Sequence, residues 1–197
     1  QGVGGFITPP DEYFNIVADI IHEHGGIFIS DEVQTGFGRT GKTWGIQHSG
    51  VEPDMITVAK GIANGMPLAA VVTTKDIADT LQKNTISTFG GNPVSSAAAN
   101  ATLEIIERDE LKANANEMGE ILKDGLKKIQ SDHREVIGEV RGKGLMVGLE
   151  LVVDETKKDR TPNPDAVDRL MEETKDRGLL IGRGGLYGNC VRISPSL

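Results

Sequence analysis

The sequence predicts an α/β chain with a mostly parallel sheet, followed by a smaller α+β domain. Three observations predict it. Two short apolar runs rich in Ile and Val, residues 27–31 and 54–59, have the length of buried strands rather than helices. Segments of helical period stand before and after them. Beyond Ser131 the strands become more polar and the loops more charged. This reading places residues 1–108 in the first domain and 109–197 in the second.

Taken in order, residues 1–7 read as the end of a strand running into Pro9-Pro10. A helix follows over about 11–24, because Phe14, Val17, Ile20 and Ile21 recur at helical spacing and Gly25-Gly26 stop it. Residues 27–31 are the next strand, so the opening is a β-α-β unit, which implies a parallel pair with a right-handed crossover. A polar loop, 41–53, leads to the strand 54–59, and 67–72 return as another. Residues 75–81 form a short helix and 82–92 a loop carrying Ser87-Thr88. The helix over 93–107 has proline in its first turn, where helices tolerate it, and alanine on its buried side. Residues 109–130 are an amphipathic helix with Leu111, Met118, Ile121, Leu122, Leu126 and Ile129 inside. In the second domain 136–141 and 145–152 are strands, 154–164 a charged loop, and 166–175 a helix. The strands 179–182 and 191–194 close the chain.

Composition narrows the class. A hydrophobic content of 38 % with 25 glycines suits a compact α/β enzyme rich in tight loops. A net charge of −8 argues against nucleic acid or an anionic membrane as partner. No apolar run approaches the ~20 residues of a membrane-spanning helix. The single cysteine, Cys190, excludes an internal disulfide and fits a reducing compartment. His22 and His24 lie two apart on a helix and face different sides, so no metal site is expected there.

The rest of the chain is organised around residues 27–70. Two strand-like runs each end in one ionisable residue, Asp31 and Lys60, and each is followed by glycines. That places both groups at the carboxyl edge of a sheet, where open α/β folds bind ligands. The plain alternatives are a turn-capping Asp31 and a solvated Lys60. One loop carries two competing patterns. Gly36-Phe37-Gly38-Arg39-Thr40-Gly41-Lys42-Thr43 matches the phosphate-binding pattern G-x-x-x-x-G-K-[ST], and Gly36, Gly38 and Gly41 match G-x-G-x-x-G. Both need a helix directly after the loop. Gly45, Gly50 and Pro53 follow instead, so nucleotide binding through Lys42 stands as the alternative from another class.

At these residues the chain resembles a known family. Asp31-Glu32-Val33-Gln34-Thr35-Gly36 with Gly38-Arg39-Thr40-Gly41, then Ala59-Lys60-Gly61, then Thr88-Phe89-Gly90-Gly91-Asn92-Pro93, is similar to the core of a class III pyridoxal-phosphate (PLP) aminotransferase. The resemblance covers the whole chain. Within the family it is greatest to the alanine–glyoxylate aminotransferases of the mitochondrial type and their bacterial relatives. It implies fold type I, with the second half of the large cofactor domain and an incomplete small C-terminal domain. Family members are longer, so an internal fragment is expected, lacking much of the phosphate site and any targeting peptide. The setting implied is cytoplasmic in a bacterium and mitochondrial in a eukaryote.

The resemblance also implies roles. Lys60 matches the Schiff-base lysine, and Asp31 matches the carboxylate that keeps the pyridine nitrogen protonated, as an opposite charge does. Gln34 corresponds to the residue at the cofactor's phenolic oxygen. Thr88 corresponds to the threonine that reaches the phosphate from the opposite subunit, in a homodimer or dimer of dimers with shared active sites. Arg192 matches the arginine that grips a substrate carboxylate, for which a planar guanidinium suits two parallel hydrogen bonds. Strand alternation sets it opposite Val191 and Ile193. Arg183 is a second candidate near the substrate, and Glu32 and Arg39 are expected to structure their loop. Val3 departs from the ornithine-type pattern, which has a glutamate paired with the arginine. Valine leaves Arg192 to an α-carboxylate and favours small donors and acceptors.

The function expected is ping-pong transfer of an amino group from an alanine- or β-alanine-type donor to glyoxylate or pyruvate. The alternatives within the family are a 4-aminobutyrate or ornithine-type aminotransferase, a racemase, a mutase or a decarboxylase.

Overall fold

The computed structural model describes all 197 residues. The chain divides into two compact units, Pro9–Lys112 and a second made of Gln1–Thr8 with Ala113–Leu197.

The first unit contains α1 (Tyr13–Glu23), β1 (Ile29–Asp31), β2 (Met55–Val58), β3 (Ala70–Thr73), α2 (Lys75–Ala78) and α3 (Pro93–Arg108). Its sheet has the order β1-β2-β3, with β1 parallel to β2 and β3 antiparallel to it. Parallel neighbours need a long crossover. Here residues 32–54 supply it, as turns and one short 3₁₀ segment, Gly45–His48. Asp54 fixes where this crossover ends. Its Oδ2 accepts from the Phe28 N–H at 2.7 Å and bonds His22 Nε2 at 2.8 Å, tying α1 to the starts of both strands. The His22 bond, and then the Phe28 bond, hold the Asp54 carboxyl below its ordinary value. α3 is capped by Asn92, whose side chain accepts from the Ser95 N–H at 3.0 Å. The helix buries Ala99 and Ile106 against Phe37, Val58, Ile62 and Ala63. A second cluster joins Ala18 and Phe28 to Ile46.

The second unit holds most of α4 (Leu111–Asp132), then β4 (Ile137–Lys143), β5 (Met146–Asp154), β6 (Asp159–Pro162), α5 (Pro164–Asp176), β7 (Gly182–Gly184) and β8 (Cys190–Ile193). The strand order is β4-β5-β8-β7, with β6 also on β5, and every pairing is antiparallel. β5 lies at the centre, with Met146, Val147, Leu149, Leu151 and Val152 all buried. Val167, Leu170 and Met171 of α5 cover one face of the sheet together with Ile137, Leu149 and Val191.

Four expectations are corrected. Residues 1–7 form turns, not a strand, because Gly5 and Phe6 take φ of 98° and 56°, far from the regular strand region. These residues cluster with the second unit, so the β-α-β opening lacks its first strand. On α4, Ile121 and Ile129 are exposed, and the buried positions are Ala115 and Gly119. A Cβ on Gly119 would overlap the Gly144 carbonyl in the β4–β5 turn, so the helix seats there and turns one flank of its apolar stripe outward. The charged loop 154–164 contains β6, which pairs with β5 through the backbone. The strand expected at 179–182 begins at Gly182, with Leu179 and Leu180 exposed.

Candidate active site

The parallel pair sets the geometry of the first unit. Asp31 is the last residue of β1 and lies opposite Thr57. Lys60 stands just beyond the end of β2, so both leave the sheet at its carboxyl edge. Asp31 is exposed, and its Oδ1 accepts from the Val33 N–H at 3.1 Å, closing an Asx turn. Lys60 is exposed, its amine bonds to no other group, and its backbone takes φ 47°. A non-glycine residue in that region is strained, and such residues concentrate at functional sites. The strain is held by Ile62 and Ala63, which follow in the same 3₁₀ turn and are buried in the core.

Glu32 builds the floor of this edge. It is almost fully buried, and its carboxylate accepts four hydrogen bonds. Ser30 Oγ donates at 3.1 Å, the Gly45 and Ile46 N–H groups at 2.8 Å each, and Thr35 Oγ1 at short range. Its N–H donates to Thr57 O at 2.9 Å and its carbonyl accepts from Gly36 N–H at 3.0 Å. One side chain therefore joins β1, the 33–36 turn and the Gly45–His48 segment, with the edge-to-face pair Phe37–Trp44 alongside. Gln34 lies half-buried within that turn. Thr88 belongs to the same unit but sits in an exposed loop before α3, between the exposed Ile86 and Phe89.

In the second unit Arg192 lies on β8, opposite in register to Gly148 and Gly182. Val191 points into the core, and the Arg192 guanidinium lies 4.9 Å from the centre of the Phe6 ring, on the other face. Cys190 shares that face, donates to Gly5 O at 3.3 Å, and is fully buried, which pushes its thiol up. Arg141 donates to the same Gly5 carbonyl at 3.1 Å and pairs with Glu139 and Glu150. Burial lowers the Arg141 guanidinium, but the two carboxylates more than offset this and raise it overall. Arg183 pairs with Asp168 and donates to Gly188 O at 3.0 Å, so it braces the β7–β8 turn. Val3 is exposed, and its carbonyl accepts from Gly185 N–H at 3.2 Å.

Asp31, the turn bearing Gln34, and Lys60 thus share one sheet edge, Thr88 lies on a separate loop of that unit, and Arg192 lies in the other unit. The nucleotide-binding alternative is overturned. Residues 36–44 run through turns and bends into the four-residue 3₁₀ segment, and no α-helix follows the glycines. Lys42 donates to Gln47 O at 3.0 Å. Sequence reasoning missed the reach of Glu32, whose partners Gly45 and Ile46 are ordinary loop residues. It also missed Phe6, which carries no signal of its distant partner Arg192.

Comparison with known proteins gives the family. The aminotransferase class-III family model matches residues 1–197. The chain is 47 % identical over 198 residues to alanine–glyoxylate aminotransferase 2 homolog 2, mitochondrial, of Arabidopsis thaliana, covering 100 % of this chain and 41 % of the relative. It is 42 % identical to an alanine/serine racemase of Pyrococcus horikoshii, covering 100 % and 40 %. It superposes with a TM-score of 0.89 and 37 % identity on an amine transaminase from an uncultivated Pseudomonas species, solved in its PLP-bound form, covering 99 % and 45 % of the two chains. The chain spans about four-tenths of the length of the curated relatives it matches. With a match along its entire length, the chain belongs to the class III aminotransferase family, a family of PLP-dependent enzymes of fold type I.

Proposed function

We propose that the whole protein is a transaminase that moves the amino group of a small amino acid, of the alanine or β-alanine type, to a 2-oxo acid such as glyoxylate or pyruvate. One observation carries the reading. Asp31 and Lys60 leave adjacent parallel strands at the same edge, one offering an open carboxylate oxygen and the other an exposed amine without a partner. That donor set fits PLP, whose aldehyde needs an amine and whose pyridine nitrogen needs an anion. When bound, the cofactor supplies an electron sink for the bonding pair released at the substrate's α-carbon. Lys60 would hold the aldehyde carbon and, once displaced by the donor, would carry the proton taken from the α-carbon. Asp31 would keep a proton on the pyridine nitrogen, since a neighbouring carboxylate favours the charged form. Gln34 would bond the phenolic oxygen and Thr88 the phosphate, the latter across a homodimer with shared sites. Arg192 would bind the substrate carboxylate through two parallel hydrogen bonds. Valine at position 3 puts no carboxylate in competition for that arginine, which favours small monocarboxylate donors over diamines. The relative named as mitochondrial supports a mitochondrial setting if the source is a eukaryote; in a bacterium the setting would be the cytoplasm.

The test is the near-ultraviolet and visible spectrum of the whole protein with PLP. The lysine-bound cofactor band should form, shift on adding alanine, and return on adding glyoxylate or pyruvate. Lys60→Ala should lose both the band and turnover. Full turnover in that variant would sink the reading. A racemase is the second reading, favoured by the 42 % identity to the Pyrococcus horikoshii protein. It would convert L-alanine to D-alanine without making pyruvate.

A further inference from the structure

We infer that Phe6 and Gly184 are positioning residues that fix the direction of the Arg192 guanidinium and so set the preference for carboxylate-bearing substrates. The inference rests on the proposed role of Arg192 and extends it to two residues that the reading leaves out. The Phe6 ring is buried and lies 4.9 Å from the guanidinium carbon. It is placed independently of Arg192. The Gly5 carbonyl before it accepts from Arg141 Nε at 3.1 Å and from Cys190 Sγ at 3.3 Å, and the Val3 carbonyl is tied to Gly185 N–H at 3.2 Å. These bonds lock Phe6 at φ 56°, a left-handed conformation that a bulky residue adopts only under constraint. Beneath it, a Cβ on Gly148 would lie 2.9 Å from the Gly5 carbonyl, so the segment rests directly on β5.

Gly184 opens the other side. A Cβ there would overlap Arg192 Cδ and lie 3.0 Å from Cγ. The backbone of Gly184 is not left-handed, so the glycine is needed for the space it leaves to the arginine stem. Arg192 therefore runs in a slot between a bare backbone and an aromatic face. An aromatic face attracts a guanidinium without neutralising it and without taking its in-plane N–H donors. A carboxylate neighbour would do both, and would compete with the substrate. The slot supplies orientation, and pre-set orientation is what an incoming carboxylate otherwise has to impose.

The test uses the whole PLP-loaded protein and propionate, a carboxylate without an amino group, titrated calorimetrically. Phe6→Leu and Gly184→Ala should each weaken propionate binding by roughly 5- to 30-fold, or about 1–2 kcal/mol. KM for alanine should rise with kcat little changed, and KM for isopropylamine, which has no carboxylate, should stay as it was. The lysine-bound cofactor spectrum should be unaltered in both variants. Gly184→Ala displaces only a flexible side chain, so it decides the matter if Phe6→Leu fails to fold. Arg192→Gln separates the two levels. If it abolishes propionate binding while Phe6→Leu and Gly184→Ala bind as the parent does, this inference is wrong and the role of Arg192 stands. If Arg192→Gln binds propionate normally, both fall together.

Discussion

Replacing Glu32 by glutamine should loosen the turn that presents Asp31 and Gln34. Glutamine has nearly the same shape, so packing is kept while the charge and the hydrogen-bond pattern change. The carboxylate accepts from Ser30 Oγ and Ile46 N–H on Oε1, and from Thr35 Oγ1 and Gly45 N–H on Oε2. The hydroxyls of Ser30 and Thr35 can rotate and accept from an amide instead. The two backbone N–H groups cannot. Whichever way the glutamine side chain is turned, one of Gly45 or Ile46 faces an NH₂ group and is left buried without an acceptor. Losing a hydrogen bond to a charged group costs about 1.5–3 kcal/mol, and a stranded buried donor costs about 1–3 kcal/mol, two overlapping descriptions of one loss. The expected cost is about 2–3 kcal/mol. Hydrogen exchange at the Gly45 and Ile46 amides reads this locally, and protection should fall by roughly 30- to 150-fold, since each 1.4 kcal/mol is tenfold. Ser30→Ala should cost about 1 kcal/mol, because it removes one partner and strands nothing. Unchanged exchange at both amides in Glu32→Gln would refute the claim that this carboxylate holds the crossover to β1.

Two glycines on α4 should respond in opposite directions. Gly119→Ala meets the Gly144 backbone and should destabilise by about 1–3 kcal/mol, whereas Gly125, with open space around it, should gain up to about 1 kcal/mol on the same change. Thermal unfolding midpoints check this, and equal shifts would show that α4 does not seat on the β4–β5 turn. Asp154 should add an acid-sensitive element. Its hydrogen bond with Lys157, and then that with Thr156, lower its pKa from 3.8 to about 2. A depressed folded-state value stabilises above the unfolded one and is lost as pH falls from 3.8 towards 2. Asp154→Asn should therefore flatten the fall in stability across that window, and an unchanged acid limb would exclude the pairing.

Much of the first unit was legible because its signals are local. The lengths of the runs ending in Asp31 and near Lys60 select strands, and the glycines after them select loops. What failed was the part decided at a distance. Residues 1–7 read as the end of a strand running into Pro9-Pro10, yet Gly5 and Phe6 are turned by the carbonyl contacts with Arg141 and Cys190. The apolar stripe of α4 is plain in the sequence, but its rotation is set by the fit of Gly119 against Gly144, and no periodicity reveals that. β6 hides among charges because an edge strand paired through its backbone needs no apolar alternation. At the candidate site the placement of Asp31 and Lys60 at strand ends was legible from the lengths of their apolar runs. The supports, Glu32 and Phe6, were not, because their partners are loop amides and a far-off arginine.

The left-handed backbone at Lys60 has a consequence for anyone evolving this enzyme. That conformation costs an L-residue on the order of 1–2 kcal/mol, and glycine escapes most of it. The backbone therefore selects against the residue to which the proposed chemistry assigns the reactive amine. A library screened for thermal tolerance alone would be drawn to glycine at position 60, trading the amine for a more relaxed turn. If Lys60 carries the role proposed for it, heat resistance and turnover have to be selected together, because at this one position they favour different amino acids.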